Sequence, residues 1–212
     1  SIEINSSFYK VPMASTVAKW ATEVPENFRF TFKLSRDITH NKGLAFDPAA
    51  VLQFMQVIGL AGARKGALLV QFPASVRIAQ FRQLALLVST LRESDREKDW
   101  DISLEFRHAS LYQDEVYRLL EMHEMGIVIQ DKPPATPVME AELPFVYLRF
   151  HGPDGNYRGS YDDDVLYEYP DYIYDWMSQG KRVYCYFNNT VGQAIDNLFT
   201  LRHLVSERDH AH

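Results

Sequence analysis

Cysteine is nearly absent from this chain of 212 residues, with Cys185 its single example. A lone thiol excludes an internal disulfide and a zinc cluster built on thiolates. Cys185 lies inside the apolar run 183–187, so a buried, inert thiol is expected, and a reducing, cytoplasmic compartment fits. Long hydrophobic runs are also missing. None approaches the ~18 residues needed to span a bilayer, so no membrane partner is expected. Low-complexity segments, heptads and short repeats are absent. Glu3, Glu105, His108, Asp131 and His151 are of metal-ligand type, yet no His-x-x-x-His spacing occurs and nearby Lys and Arg repel a cation. No metal or other cofactor is expected.

The net charge of -6 argues against nucleic acid as a partner of the whole surface. One stretch differs locally: Arg29, Lys33, Arg36, His40 and Lys42 occur with Asp37 as the only acid among them. It reads either as a solvated basic loop or as an anion-facing rim. The chain opens at Ser1 without Met and is at once strand-like at Ile2 and Ile4, so the lack of a signal segment excludes little. With 46% hydrophobic residues, one substantial core and a single domain over residues 1–212 are expected.

Strand-like and helix-like segments alternate. Strands are expected at residues 1–8, 28–34, 67–72, 102–106, 127–130, 145–150 and 183–187. Between them fall helical patterns at 15–23, 78–91 and 114–125, another ending near Gly180, and a last one after Gly192. Asp47-Pro48 marks a helix start, because Asp accepts from the first free amides and Pro suits the first turn. This alternation implies parallel β/α units. Seven units fit an α/β TIM-type (β/α)8 barrel short of its first unit better than an open sheet.

Each apolar run ends on chemistry-bearing residues, and parallel architectures gather such ends at one mouth. Parity within strands sharpens this. Ile102, Leu104 and Phe106 oppose Ser103, Glu105 and Arg107; Val146, Leu148 and Phe150 oppose Tyr147, Arg149 and His151; Val183, Cys185 and Phe187 oppose Tyr184, Tyr186 and Asn188. Glu3 and Asn5 share a face, and Lys33 ends its strand. The polar face then points inward, as either a buried ion-pair network or a ligand site. The loop 152–159, with Gly152, Gly155 and Gly159, and Asn188-Asn189 before a helix stand where this architecture binds phosphate. Tyr157 and Tyr161 flank Gly159, as exposed stacking aromatics or as loop packing.

One reading is an enzyme, of hydrolase or isomerase type, for a small phosphorylated or acidic sugar-like substrate. Lys33, Arg107 and Arg149 would hold the anion, with Asn5, Gly152, Tyr157, Gly159, Tyr161, Asn188 and Asn189 around it. His151 would move a proton, oriented or partnered by Glu105. The alternative is a nucleic-acid-binding or nuclease-like protein using the basic stretch and the two tyrosines. The residues leave the oligomeric state open.

The motifs Glu3-Ile4-Asn5-Ser6-Ser7-Phe8-Tyr9, Lys33, Gln71-Phe72-Pro73, Glu105-Phe106-Arg107-His108, Arg149-Phe150-His151-Gly152, Tyr157-Arg158-Gly159-Ser160-Tyr161 and Tyr186-Phe187-Asn188-Asn189 follow one another over nearly the whole chain. In this order they resemble the YecE-like family, the domain of unknown function seventy-two. The resemblance implies a TIM-type barrel and supplies no activity. Family members usually begin with a further strand and helix bearing a Gly-Thr-Ser-Gly-Trp-like motif, so the first β/α unit is expected to be missing here. Leu111 stands where the family commonly has Trp, and Thr190 where it commonly has Asp.

Overall fold

The computed structural model describes residues 1–134 and 143–211. The chain divides into two compact units, Ser1–Ile127 and Val128–His212.

The first unit is built on a five-stranded sheet in sequence order: β1 (Ile2–Ile4), β2 (Phe30–Lys33), β3 (Lys65–Phe72), β4 (Asp101–Phe106) and β5 (Gly126–Ile127). Every neighbouring pair is parallel. Parallel neighbours require a crossover, and helices supply it. They are α1 (Ala14–Glu23), α2 (Arg36–Thr39), α3 (Pro48–Gly59), α4 (Phe81–Ser94) and α5 (Asp114–Met122). The start of α3 is as the sequence indicates: the Asp47 carboxylate accepts from the Ala49 amide at 2.9 Å, with Pro48 in the first turn. Phe32, Leu68, Val70, Ile102, Leu104 and Phe106 are buried with Phe54, Ile58, Leu84 and Leu91 from the helices. Each such side chain contributes about 1.5–3 kcal/mol by leaving water.

Residues 1–8 are not one strand. Only Ile2–Ile4 is extended, and Asn5–Phe8 forms a 3-10 turn. The buried Ser7 hydroxyl explains the change. Its oxygen lies 2.7 Å from Ile4 O and 2.8 Å from Lys33 O, and accepts from the Lys33 amide at 3.1 Å. A side chain thus satisfies the backbone group that another strand residue would have met.

The expected strand 127–130 is likewise two pieces. Gly126–Ile127 pairs with β4, whereas β6 (Ile129–Gln130) belongs to the second unit. There it pairs in parallel with β7 (Phe145–Phe150), which pairs in turn with β9 (Arg182–Phe187). Helices α6 (Asp163–Leu166), α7 (Tyr169–Ser178) and α8 (Ala194–Ala211) complete this unit, together with two short strands, β8 (Arg158–Gly159) and β10 (Val191–Gly192). Pro170 sits in the first turn of α7, where its missing N–H removes no helical bond. Leu148, Phe150, Leu166, Ile173, Trp176, Leu201 and Leu204 form the core. Cys185 packs against it, and burial pushes its thiol up to about 12, as suits an inert side chain. Among the described residues no helix is long and apolar enough to cross a membrane.

The parallel pairing of β8 with β10 has no counterpart in the sequence reading, because two-residue strands leave no periodic trace. Two glycines permit it. Gly152 has φ +94°, and a Cβ there would lie 2.2 Å from Arg158 O. A Cβ on Gly192 would lie 2.1 Å from Gly159 O. Gly192→Ala is therefore expected to part β10 from β8 and to cost about 1–3 kcal/mol. Urea unfolding of the two proteins measures this, and an unchanged midpoint would show that the two strands do not need their close approach.

Candidate functional site

In each unit, parallel pairing collects the residues that follow successive strands at one sheet edge. In the second unit, Asp131 follows β6, His151 follows β7, and Asn188 and Asn189 follow β9. His151 is fully buried. Its backbone amide donates to both oxygens of the Asp131 carboxylate, at 3.0 and 3.1 Å, and its Nδ1 lies 3.0 Å from Oδ1 of the same group. On the other side of the ring, Arg149 Nη1 lies 3.4 Å from Nε2. The tautomer follows from these partners. A carboxylate at Nδ1 requires a proton there, and a permanent guanidinium cation facing Nε2 requires a lone pair. These two partners match the tautomer protonated on Nδ1, with the Nε2 lone pair toward Arg149.

Tyr161 completes the network. Its hydroxyl donates to Asp131 Oδ2 and accepts from the Gly152 amide at 2.6 Å. Burial, then the neighbouring Asp131 carboxylate, push the Tyr161 phenol well above its ordinary value, so it stays a donor. Of the two readings the sequence leaves for Tyr161, its burial matches loop packing: it is 5% exposed, against 37% for Tyr157. An aromatic whose ring is buried and whose hydroxyl is engaged cannot stack on a base. Tyr157 covers the His151 ring edge-on at 5.5 Å between centroids and carries the ammonium of Lys132 4.1 Å from its own ring centre. With φ +68°, Tyr157 holds a left-handed conformation that a bulky residue rarely adopts.

Asn189 is buried, and its Nδ2 donates to Gly159 O at 2.9 Å and to Asn197 Oδ1 at 3.1 Å. Its Oδ1 has no hydrogen-bond partner among the described residues. Asn197 Oδ1 also accepts from the Tyr161 amide at 3.2 Å, so α8 ties down the far end of the loop 152–159. Asn188 is half-buried, and its backbone amide donates to Phe150 O at 2.6 Å.

In the first unit, Asn5 follows β1, Lys33 ends β2, Gln71 lies near the end of β3, and Glu105 and Arg107 bracket the end of β4. Lys33 Nζ donates to Gln71 Oε1 at 2.6 Å and sits 4.2 Å from the centre of the Phe8 ring. Asn5 Nδ2 donates to Glu3 Oε1 at 2.8 Å. Glu105, fully buried, forms an ion pair with Arg107. His40 meets the same Phe8 ring, edge-on at 4.9 Å between centroids. Burial, then the charges of Lys33 and Arg36, push its pKa down to about 4.

The carboxylate at Nδ1 of the His151 ring is Asp131, which the sequence reading did not assign, and Glu105 pairs with Arg107. The basic stretch is not one loop, because Arg29 donates to Glu26 O and Phe28 O before the start of β2, whereas Lys33 stands at its end. Leu111, where the family commonly has Trp, packs in the apolar core. Among the described residues, no three of the His, Cys, Asp and Glu side chains gather as a metal site. Asp131 ended an apolar run in the sequence, but nothing local marked it as the partner of a residue twenty positions away.

Removing the Tyr161 hydroxyl leaves the buried Gly152 amide without its acceptor and takes one donor from Asp131. Tyr161→Phe should therefore lower stability by about 1–3 kcal/mol. A double-mutant cycle with Asp131→Asn, read by urea unfolding, should give a coupling energy of at least about 0.5 kcal/mol. Strict additivity would contradict the network.

The chain can now be set beside known proteins. A family model described as "Protein of unknown function DUF72" matches residues 1–212. Two crystal structures of a DUF72 family protein from Enterococcus faecalis V583 are similar to this chain. One gives a TM-score of 0.80 at 22% identity, covering 96% of this chain and 84% of that one. The other gives 0.77 at 23% identity, covering 96% and 88%. A DUF72 family protein from Thermotoga maritima MSB8 gives 0.70 at 23% identity, covering 96% and 84%. At these identities the likeness speaks of the fold. Among curated proteins none matches this chain. With an α/β fold of parallel sheets like those relatives and a family match along its whole length, the chain belongs to the DUF72 family.

Proposed function

We propose that this protein is an enzyme, of hydrolase or isomerase type, for a small anionic substrate such as a phosphorylated or acidic sugar. The observation that carries the reading is the alignment of Asp131, the His151 ring and Arg149 in the second unit. A carboxylate that fixes one imidazole nitrogen leaves the other with a lone pair, the form a proton acceptor needs. Here that lone pair faces a guanidinium, whose planar fork suits carboxylate or phosphate. An anion that engages Arg149 draws it from Nε2 and frees the base at the same moment.

In this reading His151 moves the proton, Asp131 holds its tautomer, and Tyr161 holds Asp131. Gly152, Tyr157 and Gly159 of the loop, with Asn188 and Asn189, surround the ligand. The Asn189 Oδ1, buried without a hydrogen-bond partner among the described residues, suits a hydroxyl donor such as a sugar supplies. In the first unit Lys33, Arg107 and Asn5 are assigned to anion binding, and Glu105 to holding Arg107 or to sharing the proton chemistry of His151. A single TIM-type barrel domain over residues 1–212 and a cytoplasmic setting belong to the same proposal. Parallel pairing within each sheet, with helices between β1, β2, β3, β4 and β5 and between β7 and β9, supports the first.

The test is a panel of sugar phosphates and sugar acids at pH 7.5, read by thermal shift and by product formation. At least one compound should raise Tm and be converted. His151→Asn should keep the shift and lower kcat by ~10²–10⁴. Undiminished turnover in the variant would contradict the role of the imidazole.

A further inference from the structure

The first unit holds a group of side chains that the His151 chemistry does not use. Phe8 is its centre. The Lys33 ammonium lies 4.2 Å from the centre of the Phe8 ring, and the His40 ring lies 4.9 Å away at an interplanar angle of 79°. The groups facing His40 come from three places. Lys33 comes from the end of β2, Arg36 and the Thr39 hydroxyl from α2, and the Phe8 ring, with Tyr9 edge-on behind it, from the turn Asn5–Phe8. The one acid on α2, Asp37, is exposed. Thr39 Oγ1 lies 2.8 Å from His40 Nδ1, so one ring nitrogen is engaged. Nε2 has no hydrogen-bond partner among the described residues, and the ring is half-exposed.

We infer that Lys33, His40 and the Phe8 ring form an oxyanion seat at the end of β2, and that an anion bound there is taken up together with a proton on His40. The seat rests on the anion-binding part of the reading above and is independent of the His151 chemistry.

The physical argument is one of sign. Without an anion, burial and two cations all disfavour a charged ring, and the imidazole stays neutral down to about pH 4. A sulfate- or phosphate-like group beside Lys33 and Nε2 places negative charge where only positive charge acted. Protonated Nε2 then donates to an anion oxygen, a charge-assisted hydrogen bond that the neutral ring cannot offer. The pKa of His40 rises toward its ordinary value of 6.5 once the anion is bound. Between the two values, binding takes up a proton, so affinity climbs as pH falls. By linkage, a return to 6.5 makes the anion bind roughly tenfold more tightly at pH 5.5 than at pH 7.5. The seat thereby favours a fully ionised oxyanion in mildly acidic conditions, and conversely a bound oxyanion holds His40 ready as a proton donor near neutrality.

Sulfate is the suitable probe, since it does not titrate in this range. Its affinity for the whole chain is measured calorimetrically at pH 5.5 and 7.5, and the His40 ring is titrated by NMR with and without sulfate. The expected result is a tenfold gain at the lower pH, a His40 midpoint that moves from about 4 toward 6.5, and loss of the pH dependence in His40→Gln. Sulfate binding of equal strength at both pH values, or an unmoved His40 midpoint, overturns the proton coupling while the anion assignment of Lys33 stands. No sulfate binding at either pH overturns both. The NMR arm uses the unaltered protein, so a variant that fails to fold does not blunt the test.

Discussion

The Asp131 carboxylate is the constraint on which the second unit turns. It receives the backbone amide of His151, the His151 ring and the Tyr161 hydroxyl, and that hydroxyl in turn receives the Gly152 amide. Four donors from two segments, 151–152 and Tyr161, are thereby satisfied around two oxygens of Asp131 and one of Tyr161. Buried polar groups left without partners cost about 1–3 kcal/mol each, so the segments carrying them are bound to one arrangement. The chain leaving β7 must turn at Gly152, where only glycine clears Arg158 O, and must return so that β8 lies beside β10. Loop geometry and imidazole tautomer are consequences of the same set of bonds.

In the first unit the ordering force is different. The sheet is buried on both faces at β4, where Ser103 and Glu105 are as buried as Ile102 and Leu104. A carboxylate in that position is tolerable because Arg107 meets it. Buried pairs of this kind add little net stability, though losing one partner costs about 3–5 kcal/mol. Their presence at a sheet edge, where aliphatic residues would serve the fold as well, is what the proposed anion binding draws on. The same holds for Lys33, whose ammonium rests on an aromatic face and an amide oxygen.

Much of this was legible in the sequence where the signal is local. Asp47-Pro48 starts a helix because both residues act on the first turn. Strand parity separated Ser103 and Glu105 from Ile102 and Leu104 because side chains alternate. Parallel alternation placed Lys33, Arg107, His151 and Asn189 after strands. What escaped is non-local. Ser7 ends β1 by taking the amide of a residue 26 positions away. Tyr161 reads as a stacking aromatic or as loop packing until its hydroxyl is seen to bridge Asp131 and Gly152. Asp131 carries no mark of its partner in the sequence, where Glu105 is the more visible carboxylate at a strand end. Sequence parity gives the face on which a side chain lies; it does not give the depth at which it stops or the group it finds there.

The central claim is that His151 is held as a neutral ring, protonated on Nδ1, between a carboxylate and a guanidinium. Nitrogen-15 NMR of the ring, with the His151 signals assigned by substitution, tests it most directly. The account predicts one protonated, pyrrole-type nitrogen at Nδ1 and one bare, pyridine-type nitrogen at Nε2 at neutral pH. A proton on Nε2, or a doubly protonated ring, would contradict it.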